Sequence, residues 1–341
     1  MRKILIVAPN WIGDALLAQP LFARLRTTQP GVAIDALAPS WTAPVLRRMP
    51  EIDGVIDAPF GHGELKLAER LRLAKSLHPR GYDEAIVLPN TFKSALIPFF
   101  ARIPVRRGFV GELRYGLLNR VHRLDEKALP LMAERYASLA EKPGTPPQRP
   151  LPEVRLRVDE ANLESALTRL GLSRAKAVVA FCPGAEYGPS KRWPARYFVE
   201  LAKKLSAQGR AVWLFGSDKD REIGAEIVRS SGGAAVNLCG KTDLASAIDL
   251  LSLAEVVVSN DSGLMHVAAA VGRRVVALYG SSSPEHTPPL SRTYHIVRTG
   301  IDCSPCYARE CPLGHFKCMI DLAPARVLEE IAAVEASNLH I

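Results

Sequence analysis

Short apolar strands alternating with amphipathic helices, a proline-rich interruption and polar turns set directly after strands predict an α/β chain of two doubly wound domains. Each sheet should be parallel, with helices on both faces. The two domains are expected to face each other across a cleft, because ligands of such sheets sit beyond the carboxyl ends of the strands. The 341 residues suffice for two cores. A content of 48% hydrophobic and 23% charged residues is that of a soluble globular protein, and no apolar run approaches the roughly 20 residues that cross a bilayer. The opening Met-Arg-Lys-Ile-Leu-Ile-Val-Ala is short, meets Pro9-Asn10 and lacks a small-residue cleavage site. It reads as a first strand of a cytoplasmic protein and not as a signal peptide.

In chain order, Lys3–Ala8 predicts a strand, Pro9–Asp14 a turn, and Ala15–Gln29 a helix with Leu16, Leu17, Leu21, Phe22 and Leu25 on one face. Strands follow at Val32–Ala38, Gly54–Ala58, Glu84–Leu88 and Arg106–Phe109, with helices at Thr42–Arg48, Leu65–Leu77 and Ser94–Ala101. Pro143–Pro152 holds five prolines in ten positions and reads as a stiff linker, dividing residues 1–150 from 151–322. Beyond it the pattern restarts, with helices at Asp159–Leu170, Ala195–Ser206, Asp220–Ser230 and Leu244–Ala254 and strands at Ala177–Phe181, Ala211–Phe215, Ala234–Leu238 and Arg274–Tyr279. A last helix, Ala323–Ala336 within a terminal segment 323–341, is expected to pack back on the N-terminal domain.

The stretch around which the second half is built is Val256–Ala270, a β-branched run that breaks at Ser259-Asn260-Asp261-Ser262-Gly263 and resumes as an Ala-rich helix. Such a turn aims the free N–H groups of the first helical turn above the sheet, where they suit a phosphate. Asp261 would repel that phosphate and is better placed to bind hydroxyls, so a sugar nucleotide satisfies both halves; a plain helix cap is the other reading. After the preceding strand, Pro183–Pro194 carries Ser190, Lys191 and Arg192, cations fit to neutralise a diphosphate or simply to be solvated. Gly216–Glu222 offers Ser217, Asp218, Asp220 and Glu222 to a ribose or as helix caps. Asp14, behind Gly13 at the first strand-to-helix turn, can serve as a general base or as a first-turn acid.

The absence of Gly-x-Gly-x-x-Gly and of a P-loop excludes a nicotinamide dehydrogenase and a phosphate-cleaving NTPase. Net charge is +9, and residues 1–150 hold 22 Lys and Arg against 14 Asp and Glu, so almost all the excess lies there. That implies an anionic partner, and without interleaved aromatics or a reader motif it is not nucleic acid. Cys303, Cys306, Cys311 and Cys318 form a Cys-x2-Cys-x4-Cys-x6-Cys run. Its spacing is compatible with a zinc or iron–sulfur knot; reduced thiols packing a loop, with no metal, are the expectation.

Asn10-Trp11-Ile12-Gly13-Asp14, the Pro183–Pro194 loop, Ser259–His266 and the cysteine tail, in that order, resemble the ADP-heptose:lipopolysaccharide heptosyltransferases of glycosyltransferase family 9. The Trp-Ile-Gly-Asp form and the tail are similar to the type II members. The resemblance implies two Rossmann-like domains of the GT-B kind and inverting transfer of L-glycero-D-manno-heptose from ADP-heptose to the first heptose of the inner core. Another core acceptor (Kdo or a later heptose) and a non-catalytic sugar-nucleotide-binding protein are the alternatives. Position by position, it implies Asp14 as base, with Asn10, Trp11 and Gly13 on the acceptor side. Ser190 and Lys191 would hold the phosphates and Asp261 the heptose hydroxyls, while Ser262, Gly263 and Leu264 would turn N–H groups to the diphosphate. Glu222 would approach the ribose and the Lys241-Thr242 backbone the adenine; His266 would either pack or support the site. No cofactor is implied. The partners are ADP-heptose, a lipid A–Kdo–heptose acceptor and, transiently, the anionic inner face of the inner membrane, reached through screened charge alone.

Overall fold

The computed structural model describes residues 1–61, 63–174 and 177–336. The chain divides into two compact units, Met1–Val154 and Arg155–Ile341, so the boundary falls just past the proline-rich stretch. Strands of the first unit are β1 (Lys3–Val7), β2 (Ala33–Pro39), β3 (Gly54–Ala58), β4 (Glu84–Val87), β5 (Val105–Phe109) and β6 (Arg120–His122). Its helices are α1 (Ile12–Leu17), α2 (Gln19–Thr28), α3 (Ala43–Arg47), α4 (Leu67–Leu77), α5 (Phe92–Phe100) and α6 (Met132–Ser138). The sheet is parallel, in the order β3-β2-β1-β4-β5-β6. Strand order reverses between β1 and β4, which makes that gap the switch point where a ligand crevice opens.

The second unit repeats this plan with β7 (Val178–Cys182), β8 (Ala211–Leu214), β9 (Val236–Asn237), β10 (Ala254–Asn260), β11 (Arg274–Leu278) and β12 (Tyr294–Val297). They form a parallel sheet in the order β12-β11-β10-β7-β8-β9, with the switch point between β7 and β10. Its helices are α7 (Glu160–Leu170), α8 (Ala195–Ala207), α9 (Arg221–Ser230), α10 (Leu244–Leu251), α11 (Gly263–Ala270), α12 (Lys317–Ile320) and α13 (Pro324–Ala336). The central strands β7 and β10 are buried nearly throughout, which is why their sequences are continuous apolar runs.

Two expectations change. The helix placed over 15–29 is two, α1 and α2, because Pro20 sits in the first turn of α2 and has no N–H to continue α1. The edge strands β6 and β12 and the helix α6 were not anticipated; Arg-Val-His and Tyr-His-Ile-Val are too short and mixed to declare a strand. The last helix, α13, packs on the sheet of its own unit. Val327, Ile331 and Val334, at helical spacing, join the second unit's core with Val256, Val276 and Val297. Residues 337–341 of the proposed terminal segment lie outside the described residues.

Beneath the first sheet a buried ion pair ties distant segments. Glu84 of β4 accepts from Arg107 Nε at 2.6 Å and from Arg2 Nη2 at 2.5 Å, while Arg107 Nη1 donates to Leu139 O at 2.5 Å beyond α6. Burial pulls the Arg107 guanidinium below its ordinary value, and the Glu84 charge opposes that shift. Glu84→Ala would leave this guanidinium buried without its carboxylate, and urea titration should find a loss of about 3–5 kcal/mol. A loss under about 1 kcal/mol would show that water replaces the carboxylate.

Candidate functional site

At the second switch point, β10 ends at Asn260 and the chain turns through Asp261 and Ser262 into α11. Ser262 has extended backbone at the N-cap position, and no side chain among the described residues caps the helix. The first-turn N–H groups of Gly263, Leu264 and Met265 therefore keep their affinity for an anion. Asp261 is no cap. Its buried carboxylate accepts from Lys191 Nζ and from Ser282 Oγ, both at 2.5 Å. Lys191 reaches it from the loop after β7, and Ser282 from the turn after β11. Three neighbouring strands thus deliver a cation, a carboxylate and a hydroxyl to one point beside an uncapped helix start.

Asn260, at the end of β10, clamps the lysine loop. Its Nδ2 donates to Pro183 O at 2.8 Å and its Oδ1 accepts from Trp193 N at 3.1 Å, so one buried amide holds both ends of residues 183–193. Trp193 is itself buried, its indole N–H donating to Leu322 O at 2.8 Å. Ser190, expected at the phosphates, is turned inward: its hydroxyl pairs with Ser281 Oγ at 2.9 Å and donates to Ala308 O at 2.5 Å. Arg192 folds back onto Ala185 O at 3.3 Å, leaving Lys191 as the cation aimed at Asp261.

The cysteine-bearing segment braces the same loop from outside. Ser190 N donates to Arg309 O at 3.2 Å and Tyr187 Oη to Tyr307 O at 2.6 Å. Lys191 Nζ and the Arg309 guanidinium lie 5.0 and 5.2 Å from the Tyr187 ring centroid. Gly188 must be glycine here, since a Cβ would stand 2.4 Å from Arg309 O. Cys303, Cys306, Cys311 and Cys318 are free thiols lining one small cavity with Ser190 and Ser281. Among the described residues no three His, Cys, Asp or Glu side chains are arranged to hold a metal ion.

The remaining donor-side candidates separate. Asp220 is structural: its Oδ2 accepts from Ser217 N at 2.9 Å and Oγ at 2.8 Å in a reciprocal cap, and Asp218 pairs with Arg221. Glu222 stands exposed on the first turn of α9, following β8, and Thr242 is half-buried after β9. Both are therefore progressively farther from the switch point. His266 is buried one turn into α11, where burial first and then the Lys191 charge push its imidazole down to about 4 against an opposing pull from Asp261. It is neutral at neutral pH and adds no charge beside Lys191.

In the first unit, Asn10 and Trp11 form the turn after β1, Gly13 is the second residue of α1, and Asp14 lies half-buried in the first turn of that helix. Asp14 faces α6: its charge, after burial, helps to hold the Tyr136 hydroxyl well above its ordinary range. Asn10 O accepts from Trp41 Nε1 at 2.8 Å. Beyond the ends of β1, β2 and β4 an open pocket is lined by Asn10, Pro39, Pro89, Thr91 and two cations, Arg70 and Lys93. Arg70 lies 4.1 Å above the Phe60 ring centroid and donates to Leu65 O, Glu64 O and Lys93 O. Arg70, Lys93, Tyr187 and Ser282 escaped the sequence reading. Ser282 alone had a signal, a serine-rich turn following a strand.

The sequence matches the family described as Glycosyltransferase family 9 (heptosyltransferase) over residues 70–317. It is 46% identical to lipopolysaccharide heptosyltransferase 2 of Escherichia coli K12 over 341 residues, covering 97% of this chain and 98% of that one. Lipooligosaccharide heptosyltransferase 2 of Haemophilus influenzae Rd is 44% identical, with 96% and 98% covered. The solved structure of E. coli ADP-heptose lps heptosyltransferase II superposes with a TM-score of 0.87 at 43% identity over 98% of each chain.

Asn260→Ala should leave a buried carbonyl and a buried N–H unpaired, costing about 2–4 kcal/mol of stability in chemical denaturation. It should also loosen Lys191, so that limited proteolysis cuts residues 184–192 faster than in the parent; equal cleavage rates would detach the clamp from the loop.

Proposed function

The chain belongs to glycosyltransferase family 9, the heptosyltransferases, and from that premise we propose inverting transfer of heptose from ADP-heptose to the first heptose of the lipopolysaccharide inner core. The observation that carries the reading is the Lys191–Asp261–Ser282 cluster at the second switch point, next to the uncapped start of α11. The diphosphate competes with Asp261 for Lys191 and takes the N–H groups of Gly263 and Leu264. Asp261, relieved of its lysine, accepts hydrogen bonds from heptose hydroxyls. Glu222 and Thr242 serve the ribose and adenine end.

Asp14 acts as base. It takes the proton of the acceptor hydroxyl as that oxygen attacks the anomeric carbon from the side opposite the diphosphate. The bond from that carbon to the phosphate oxygen breaks, the configuration inverts, and the charge released on ADP is held by Lys191 and the α11 N–H groups. The pocket with Arg70 and Lys93 offers two cations to the acidic sugars and phosphates of the acceptor. Among the described residues no helix is long and apolar enough to cross a membrane. A peripheral position on the inner face of the inner membrane accords with the basic first half. Transfer assays with ADP-heptose and defined truncated acceptors test the reading; an acceptor ending in Kdo used in preference to one ending in heptose would overturn the choice of acceptor.

Lys191→Ala should weaken ADP binding by about 1.5–3 kcal/mol in calorimetry, through loss of a charge-assisted partner. Asp261→Asn should spare ADP affinity, since it frees the lysine, and should weaken ADP-heptose binding; equal losses for both ligands would make Asp261 structural.

Asp14→Asn keeps the shape and should keep donor affinity, but turnover should fall about 10²–10⁴-fold, mainly in kcat. Retention of more than about a tenth of parental turnover at saturating donor and acceptor would place the base elsewhere.

A further inference from the structure

The first unit carries an apolar face that neither pocket nor sheet uses. After β5 the chain runs Gly111-Glu112-Leu113-Arg114-Tyr115-Gly116 with its polarity inverted. Arg114 is 2% exposed, donating to Pro89 O at 2.6 Å, Asn90 Oδ1 at 3.0 Å and Phe109 O at 2.5 Å. Its neighbours Leu113 and Tyr115 are 82% and 69% exposed. Glu112 and Leu113 hold left-handed backbone, φ 43° and 53°, a cost non-glycine residues meet only where the surroundings impose it. Alongside, α5 turns Phe92, Phe99 and Phe100 outward. The two segments are joined: Phe92 N donates to Glu112 Oε2 at 2.7 Å, and Arg106, 5.4 Å from the Phe99 ring centroid, donates to Leu117 O at 2.6 Å.

Charge selects the occupant. Residues 91–123 hold seven Lys and Arg and one acid, Glu112. Arg102, Arg120 and Arg123 are exposed, while Lys93 and Arg106 are half-buried. Protruding Leu, Tyr and Phe side chains ringed by cations fit an anionic bilayer surface, where the apolar groups enter the headgroup boundary and the cations meet lipid phosphates. An acidic protein partner would match the ring of cations but not the single protruding loop.

We propose that the face formed by α5 and residues 111–117 docks this chain on anionic lipid, with Leu113, Tyr115, Phe99 and Phe100 inserted. The proposal deepens the reading above, because a lipid-anchored acceptor lies at such a surface. It departs from the expectation of purely electrostatic association: an inserted face holds after salt has screened the cations.

The full chain would be sedimented with vesicles of phosphatidylcholine alone or with phosphatidylglycerol, containing no acceptor, so that binding is read independently of transfer. Strong binding only to the anionic vesicles is expected, with a residue of it persisting in high salt. Leu113→Ser with Tyr115→Ser should lower partitioning about tenfold or more. It should leave the unfolding midpoint, and transfer to a soluble delipidated acceptor, unchanged. In a Leu113→Trp variant, the indole emission should shift to the blue on anionic vesicles. Parental partitioning of the double variant, an unshifted emission, or self-association that depends on Leu113 and Tyr115 would overturn the proposal. Loss of transfer to the soluble acceptor with vesicle binding intact would instead count against the function and leave the docking face standing.

Discussion

The second unit depends on the side chain of Asn260. A parallel sheet leaves its crevice where strand order reverses, and there the loop from β7 and the turn from β10 come side by side without a shared ladder hydrogen bond. Asn260 supplies the missing bonds, donating to Pro183 O and accepting from Trp193 N, and so fixes the span of the lysine loop against the strand that carries Asp261. An amide suits this position because it offers a donor and an acceptor on one planar group. Both its contacts are buried, where an unpaired polar group is costly and a paired one specifies a single geometry.

With the loop ends fixed, its middle is held by the cysteine-bearing segment. Ser190, Tyr187 and Gly188 all meet the backbone of residues 307–309, and Ser304 Oγ donates to Gly280 O at 2.6 Å at the base of the Ser281–Ser282 turn. This segment supports the lysine loop and the serine turn together. Lys191 and Ser282 therefore converge on Asp261 from two loops that share one scaffold. Neutralising Lys191 internally has a consequence for binding: the ligand-free cation is already satisfied, so an anion must exchange with a carboxylate rather than fill a vacant charge.

The first unit applies the same topology differently. Its switch point lies between β1 and β4, and the cations lining its pocket, Arg70 and Lys93, come from α4 and α5, not from α1, which carries Asp14. Its excess of basic residues is divided by burial. Arg107 and Arg114 are interior ties that satisfy carbonyls and a carboxylate, whereas Arg102, Arg120 and Arg123 remain at the surface. Net charge alone cannot make that division.

Sequence by itself determined the alternation of strands and helices, the break near residue 150 and the residues that follow β1, β7 and β10, since these rest on local periodicity, proline chemistry and turn composition. It also carried the family likeness, because the motif residues are contiguous. Tertiary structure decided what each of those residues touches. Asp261 and Asn260 are both good cap residues by type, yet one pairs with Lys191, 70 positions away, and the other clamps Pro183 and Trp193, 77 and 67 away. The inward turn of Ser190, the packing of α13 on its own sheet and the inverted polarity of Leu113-Arg114-Tyr115 are likewise set by partners far along the chain. Local propensity has no term for a partner that only the closed sheet brings within 3 Å, and this is the physical limit of what the one-dimensional pattern could decide.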